Sequence, residues 1–451
     1  MQLDDKAETL LSRITKVRDT PPLPAELASL GLRIQYFFLV WAVKITIAVQ
    51  LAYLRFFYPT PETQPSFIKT YDCRPKLPVR VFEPKSRLGG NQDTLPLYIN
   101  IHGGAFATCD ASIDDSFCKS WSQRTGMVVV SLNYRKSPVH RFPVPVLDIA
   151  AVARAVIDDE TLNIDKSRVV IGGFSAGGKL ALTACQLPEL EGRIKAAVSY
   201  FPIVDWSAPP HAKWAERLYT EKPSESLNTA GPALDWAYVP AGQNRKEKLL
   251  SPCYASREEL PKWVCLIGAQ HDMLCRESRD MIYSLAGEDV PEYGWDEGWE
   301  RGTYKWVLAM GVRHGFTDDF RKKRGRSSEQ RKQVCEEIYA SGSEGPAEGL
   351  RQFRPCFSSD VTSSTVTNTI AAVKSNIAVI VSSVIGILAL VHKIIAFGDH
   401  DLHSDRCQDC SRYCANLLGS LEEKYDEEPP PRRVLRNLPS QSIQSHSPTA
   451  A

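Results

Sequence analysis

Neither sign of charge dominates this sequence. Its 54 lysines and arginines are set against 53 aspartates and glutamates, a net charge of +1, so nothing in the overall balance calls for a nucleic-acid partner. It has no Asn-x-Ser/Thr sequon and no internal repeat. The first thirty residues do not read as a signal peptide, because they are rich in charge and proline and lack an ordered basic start, apolar run and cleavage site. The 12 cysteines run from Cys73 to Cys414 without a compact framework, which argues against a small disulfide scaffold. Cys185 and Cys265 fall in core-like runs, where a thiol behaves as a small hydrophobe. Together these absences point to a catalytic domain facing a reducing, cytosolic compartment. The 43% apolar and 24% charged content is that of an ordinary globular chain.

Three blocks divide the 451 residues. Residues 1–62 form a polar leader and an apolar helix-like stretch ended by Pro59 and Pro61. Residues 63–342 alternate short β-branched runs with longer mixed segments, the pattern of a mostly parallel α/β sheet flanked by helices. Strands are predicted at Leu97–Ile101, Val128–Leu132, Val169–Ile171, Ala196–Tyr200, Trp263–Ile267 and Tyr304–Ala309. A hairpin-like lead-in is expected around Lys69–Val81, and helices at Val146–Ile157, Gly178–Cys185 and Glu329–Ile338. Residues 343–451 turn polar, carry a second apolar run at Ile377–Phe397, and end in a segment that reads as disordered.

Gly173-Phe174-Ser175-Ala176-Gly177 follows the run Val169–Ile171 and precedes the helix-like Gly178–Leu182. A strand–turn–helix of this kind lifts a serine oxygen above a sheet edge, and the flanking glycines remove the Cβ atoms that would clash. Ser175 is therefore the candidate nucleophile. Acyl transfer also needs donors for a developing oxyanion. The N–H of Ala176 supplies one. His102-Gly103-Gly104, directly after Leu97–Ile101, offers the N–H groups of Gly103 and Gly104, with His102 as a loop organiser. An acid and then a base should follow two later strands. Trp263–Ile267 delivers Asp272, and Tyr304–Ala309 delivers His314. Asp205 is the alternative acid, while His271 would serve only if no later histidine did.

With these residues in place, the chain resembles the hormone-sensitive-lipase-like branch of the α/β-hydrolase superfamily over roughly residues 68–320. The resemblance rests on His102–Gly104, on Tyr134–Pro138 through Phe142-Pro143, on Gly173–Gly178, on Asp272–Leu274 and on His314–Phe316. It implies an α/β-hydrolase fold with a cap made of N-terminal helices and an insertion, here about residues 206–250 with Trp206, Trp214, Trp236 and Tyr238. Three departures bear on pocket shape: Phe174 before the nucleophile, Ala105 after the glycine pair, and Lys179 after the elbow.

Within Leu32–Tyr58, Arg33, Lys44 and Arg55 recur every eleven residues and form one narrow stripe. A straight span would hold Lys44 near mid-bilayer at a cost of about 2.5–3.5 kcal/mol. A helix lying in the interface with the stripe toward headgroups avoids that cost, and a cap helix is the third reading. Ile377–Phe397 has the length of a tilted transmembrane span, in which the charges near its end could snorkel. Cys407, Cys410 and Cys414 lack the second half of a zinc ligand set. Arg321–Arg326 reads as a solvated approach to a helix.

The sequence therefore predicts a serine hydrolase that needs no metal or cofactor and cleaves a small lipophilic ester: an acetyl or short-chain ester, a lactone or an acylglycerol. It is expected to be associated with an intracellular membrane such as the endoplasmic reticulum. Acyl transfer on the same triad, and a non-catalytic receptor or scaffold on the same fold, are the alternatives. Oligomeric state is left open.

Overall fold

The structure is a computed structural model that describes residues 28–57, 59–88, 93–220, 226–289 and 298–317. The polar leader, the predicted helix Glu329–Ile338, the 342/343 boundary, the apolar run Ile377–Phe397, Arg321–Arg326 and the Cys407–Cys414 cluster lie outside the described residues.

Nine strands form one sheet: β1 (Phe67–Lys69), β2 (Val79–Phe82), β3 (Leu95–Ile101), β4 (Val128–Leu132), β5 (Ile164–Phe174), β6 (Ala196–Tyr200), β7 (Trp263–Ala269), β8 (Gly298–Arg301) and β9 (Tyr304–Ala309). Their spatial order is β1-β2-β4-β3-β5-β6-β7-β9-β8. The middle six are parallel, and antiparallel pairs at each edge bring in β1, β2 and β8. The six predicted strands all form, with β5 much longer than its Val169–Ile171 nucleus, and the lead-in hairpin is the β1–β2 pair. The edge strand β8 is an addition to the predicted set. Its Gly-Trp-Glu-Arg is short and mostly exposed, so no alternation announces it.

Period-two alternation sends side chains to both faces of the sheet. Leu97, Ile99 and Ile101 of β3 join a core built with α3 (Val144–Asp158), α4 (Ala176–Ala184) and α7 (Cys275–Ala286). Tyr98 joins the opposite core with Phe117, Cys118 and Trp121 of α2 (Asp115–Thr125). Coverage on both sides is what a parallel sheet requires. Neither α2 nor α7 is among the predicted helices, because each shows only a short apolar stripe among charged residues.

Chain order reverses between β3 and β5, where β4 lies on one side of β3 and β5 on the other. Such a switch point opens a crevice at the carboxyl ends of the strands, and the glycine loop and Ser175 leave the sheet there.

The apolar N-terminal stretch is a single helix, α1 (Leu30–Phe57), long and apolar enough to cross a membrane by length and composition. It packs on α6 (Ser226–Tyr238) of the insertion, with Val40 meeting Ala107, Ala233 and Ala237 in a small separate core. Of the stripe's three cations, Lys44 lies partly under the helix while Arg33 and Arg55 stay exposed. Lys44 and Arg55 turn toward the domain, whereas Ile34, Phe37, Phe38, Ile45, Val49, Phe56 and Phe57 are exposed. The buried Val40 and Leu51 share the face of Lys44, and the polar atoms of the loops beneath draw the ammonium inward.

Candidate active site

Ser175 occupies the turn between β5 and α4 with φ 52° and ψ −115°, a conformation rarely adopted outside glycine. Its N–H is fixed on the carbonyl of Tyr200 in β6 at 2.8 Å. The glycines around it are required by contact: a Cβ on Gly177 would lie 2.0 Å from the Ile101 carbonyl oxygen, and one on Gly173 would lie 2.2 Å from the same atom. The end of β3 and the elbow thus touch backbone to backbone. Phe174 does not line a pocket beside the serine. It is buried against Phe117, Tyr200 and Phe201 on the α2 side of the sheet.

His314, just beyond β9, places Nε2 2.8 Å from Ser175 Oγ. Its Nδ1 lies 2.7 Å from Asp272 Oδ2. Asp272 is buried beyond β7, and its second oxygen accepts the Leu274 N–H at 2.9 Å. The three residues nominated from the sequence therefore meet in one hydrogen-bonded chain. Asp205 instead accepts the Ser207 N–H in a turn, and the His271 ring lies edge-on to Tyr219 at 6.4 Å.

After β3 the glycine loop closes tightly: the Gly104 carbonyl accepts the N–H groups of Ala107 (3.0 Å) and Thr108 (2.9 Å). Gly104 has φ +108°, and a Cβ there would lie 2.5 Å from the Thr108 carbonyl oxygen. Among the described residues no protein acceptor takes the N–H groups of Gly103, Gly104 or Ala176. His102 lies buried beneath this loop, stacked on Tyr134, with Nδ1 2.6 Å from the Gly103 carbonyl and Nε2 3.1 Å from Asn133 Oδ1. Burial, reinforced by the nearby Lys136, lowers its pKa to about 3, so the ring stays neutral. Lys136 donates to Asn133 Oδ1 at 2.7 Å and to the Tyr134 carbonyl at 2.5 Å, and burial lowers its pKa to about 7. Arg135 forks onto the buried Asp148 of α3 and ties the same segment to the core.

Lys179 is fully buried one turn beyond the elbow. It donates to Tyr238 Oη at 3.1 Å and to the Leu249 carbonyl at 2.7 Å. The rings of Phe106, Phe142 and Tyr238 surround it within 5.6 Å. Burial with no carboxylate beside it, among the described residues, drives its pKa well down. Lys179 thus fastens the insertion to the elbow helix instead of lining a pocket. Sequence reasoning missed that role, as it missed Lys44, because the partners of each lie 59 to 93 residues away.

A parallel sheet, a serine elbow, a following acid and base and a glycine loop define the class. Over part of its length the chain is similar to the α/β-hydrolase superfamily, in its hormone-sensitive-lipase-like branch. Residues 98–294 match a family model described as an α/β-hydrolase fold. Over 169 residues the chain is 28% identical to arylacetamide deacetylase-like 3 of Homo sapiens, covering 36% of this chain and 38% of that protein. Over 246 residues it is 27% identical to an arylesterase of Saccharolobus solfataricus, covering 52% of this chain and 74% of that enzyme. The match to the human protein thus spans well under two thirds of its length. A solved hyperthermophilic esterase from the archaeon Pyrobaculum calidifontis superposes with a TM-score of 0.53 at 23% identity, covering 70% of this chain and 98% of that one. That likeness concerns the fold.

Proposed function

We propose that the chain is a carboxylic ester hydrolase acting on small lipophilic esters through an acyl-Ser175 intermediate. The observation that carries this reading is the unbroken Ser175–His314–Asp272 hydrogen-bond chain, 2.8 Å and then 2.7 Å, together with backbone donors that, among the described residues, no protein group occupies. Ser175 Oγ attacks the ester carbonyl while His314 Nε2 takes its proton. Asp272 orients the imidazole and stabilises its cationic form. The carbonyl oxygen becomes an oxyanion and accepts hydrogen bonds from Gly103, Gly104 and Ala176. His314 then returns the proton to the leaving alcohol. Water, activated by the same imidazole, releases the acid and restores Ser175. The ester-hydrolase names of the relatives support the reaction class.

Location follows from the same features. α1 lies along a membrane surface, with its apolar stripe of Ile34, Phe37, Phe38, Ile45 and Val49 in the acyl boundary and the catalytic domain on the cytosolic side. The inward Lys44 argues against a straight span.

Fluorophosphonate labelling of the full-length protein, beside a chain-length series of nitrophenyl esters and lactones, tests the chemistry. Wild type is expected to label and turn over, with Ser175→Ala at least ~10³-fold slower in both. Equal labelling of the two proteins would sink the proposal.

A further inference from the structure

α1 does more than pack on the insertion. From the middle of the helix, Lys44 Nζ donates to the Ala107 carbonyl at 2.6 Å and to the Ser137 carbonyl at 2.8 Å. Those two oxygens belong to the two segments that build the glycine loop. The Ala107 N–H closes the turn onto Gly104, and the Ser137 N–H reaches back to the Phe106 carbonyl at 2.9 Å. One ammonium therefore staples the turn to the segment behind it, and Val40, one helical turn before Lys44, packs in the same small core as Ala107. Farther along the helix, Arg55 holds the Asp110 carboxylate at 2.7 Å and the Ser112 hydroxyl at 2.5 Å.

The stretch that runs through these two ties is demanding. Ala105, Phe106 and Cys109 all have positive φ, at 51°, 62° and 66°, although none is glycine. Side-chain-bearing residues leave that region unless their surroundings hold them there. Lys44 forms no ion pair among the described residues. Its charge instead strengthens two hydrogen bonds to carbonyls of the strained loop.

We propose that Lys44 is a positioning residue for the oxyanion loop, which makes α1 a working part of the active site. It holds the 104–108 turn so that the Gly103 and Gly104 donors stay in register with the acyl oxygen above Ser175. The proposal rests on the reading of Ser175 as nucleophile. An interaction that matters only to the oxyanion lowers kcat and kcat/KM together and leaves KM nearly unchanged.

The test uses the full-length protein and a water-soluble short-chain nitrophenyl ester. Lys44→Met keeps the packing of the stem and removes the donors. Its kcat is expected to fall roughly 10- to 100-fold, with KM within about threefold of wild type, and fluorophosphonate labelling should slow in parallel. Lys44→Arg, which can still donate to both carbonyls, should recover at least about a third of the lost rate. Arg55→Ala, at an exposed position, should lower kcat roughly two- to fivefold whether or not the Met variant folds. Unchanged kcat in the folded variants, a Met defect fully matched by a smaller folded fraction in circular dichroism, or no recovery with Arg would each overturn the proposal. A wild type that neither labels nor turns over removes the nucleophile reading, and this proposal with it. An active wild type matched by an equally active Met variant removes this proposal alone.

Discussion

The sheet-end site and the helices that cover it are held together by different means. At the elbow, backbone meets backbone: Gly173 and Gly177 lie so close to the Ile101 carbonyl that a single methyl would collide with it. In the covering layer the contacts are made by side chains. α1 and α6 share a small core of Val40, Ala233 and Ala237 with Ala107 of the loop, flanked by Tyr36, Leu39, Leu234 and Trp236, and lysines and arginines add ties to carbonyls and carboxylates. Short contacts fix the position of reacting atoms, because hard-core repulsion leaves no alternative arrangement. Long polar tethers tolerate change in the surface they support, so the same chemistry can sit beneath different covers.

Gly177→Ala breaks the comparison most severely. Its Cβ would stand 2.0 Å from the Ile101 oxygen, so β3 and the elbow must separate. The expected outcome is insoluble protein, or a stability loss of about 3 kcal/mol or more by urea denaturation with no detectable esterase activity. A well-folded, active Gly177→Ala enzyme would show that the elbow is not held by close contact.

Lys136 probes the polar cluster between the two regions. Burial holds its pKa at about 7 in the folded protein, whereas the amine of the unfolded chain keeps its proton up to the ordinary value of 10.5. Between those values the unfolded state binds the extra proton, so this residue penalises the fold below pH 7 and the penalty lifts as pH rises. The stability of wild type minus that of Lys136→Met should therefore rise by roughly 1 kcal/mol per pH unit from about pH 7 to 10. A flat difference would mean that the amine is effectively solvated.

The outward face of α1 gives the smallest effect on chemistry. Replacing Phe37, Phe38 and Ile45 with serine should change kcat on a soluble ester less than about twofold, because these side chains are exposed and point away from the domain. Flotation with phospholipid vesicles should nevertheless fall several-fold. Unchanged flotation would move the membrane contact elsewhere in the chain.

What could be read from the sequence follows the same division. Ser175, Asp272 and His314 could be nominated because each sits just past a β-branched run, and the rules for such turns are local. The six central strands were legible for the same reason. The direction in which Lys44 points was not, since a cation in an apolar helix looks alike whether it meets headgroups or carbonyls 63 and 93 residues away. Nor was the role of Lys179, whose partners arrive only when the insertion folds back onto α4. β8 left no signal because an exposed edge strand of four residues needs no apolar pattern.

Ser175 and His314 stand 139 positions apart in the chain, which gives the protein a history as well as a shape. Translation delivers β5 and the elbow long before β9, and a domain folds as a unit once its parts are present. A half-made chain therefore holds Ser175 without the imidazole that, in the proposed mechanism, would activate it. In that mechanism reactivity arrives in one step, when β9 adds to the sheet beside β7 and brings His314 to the serine. The proposed enzyme is thus silent while it is being built, and a chain cut short before β9 carries Ser175 without its base.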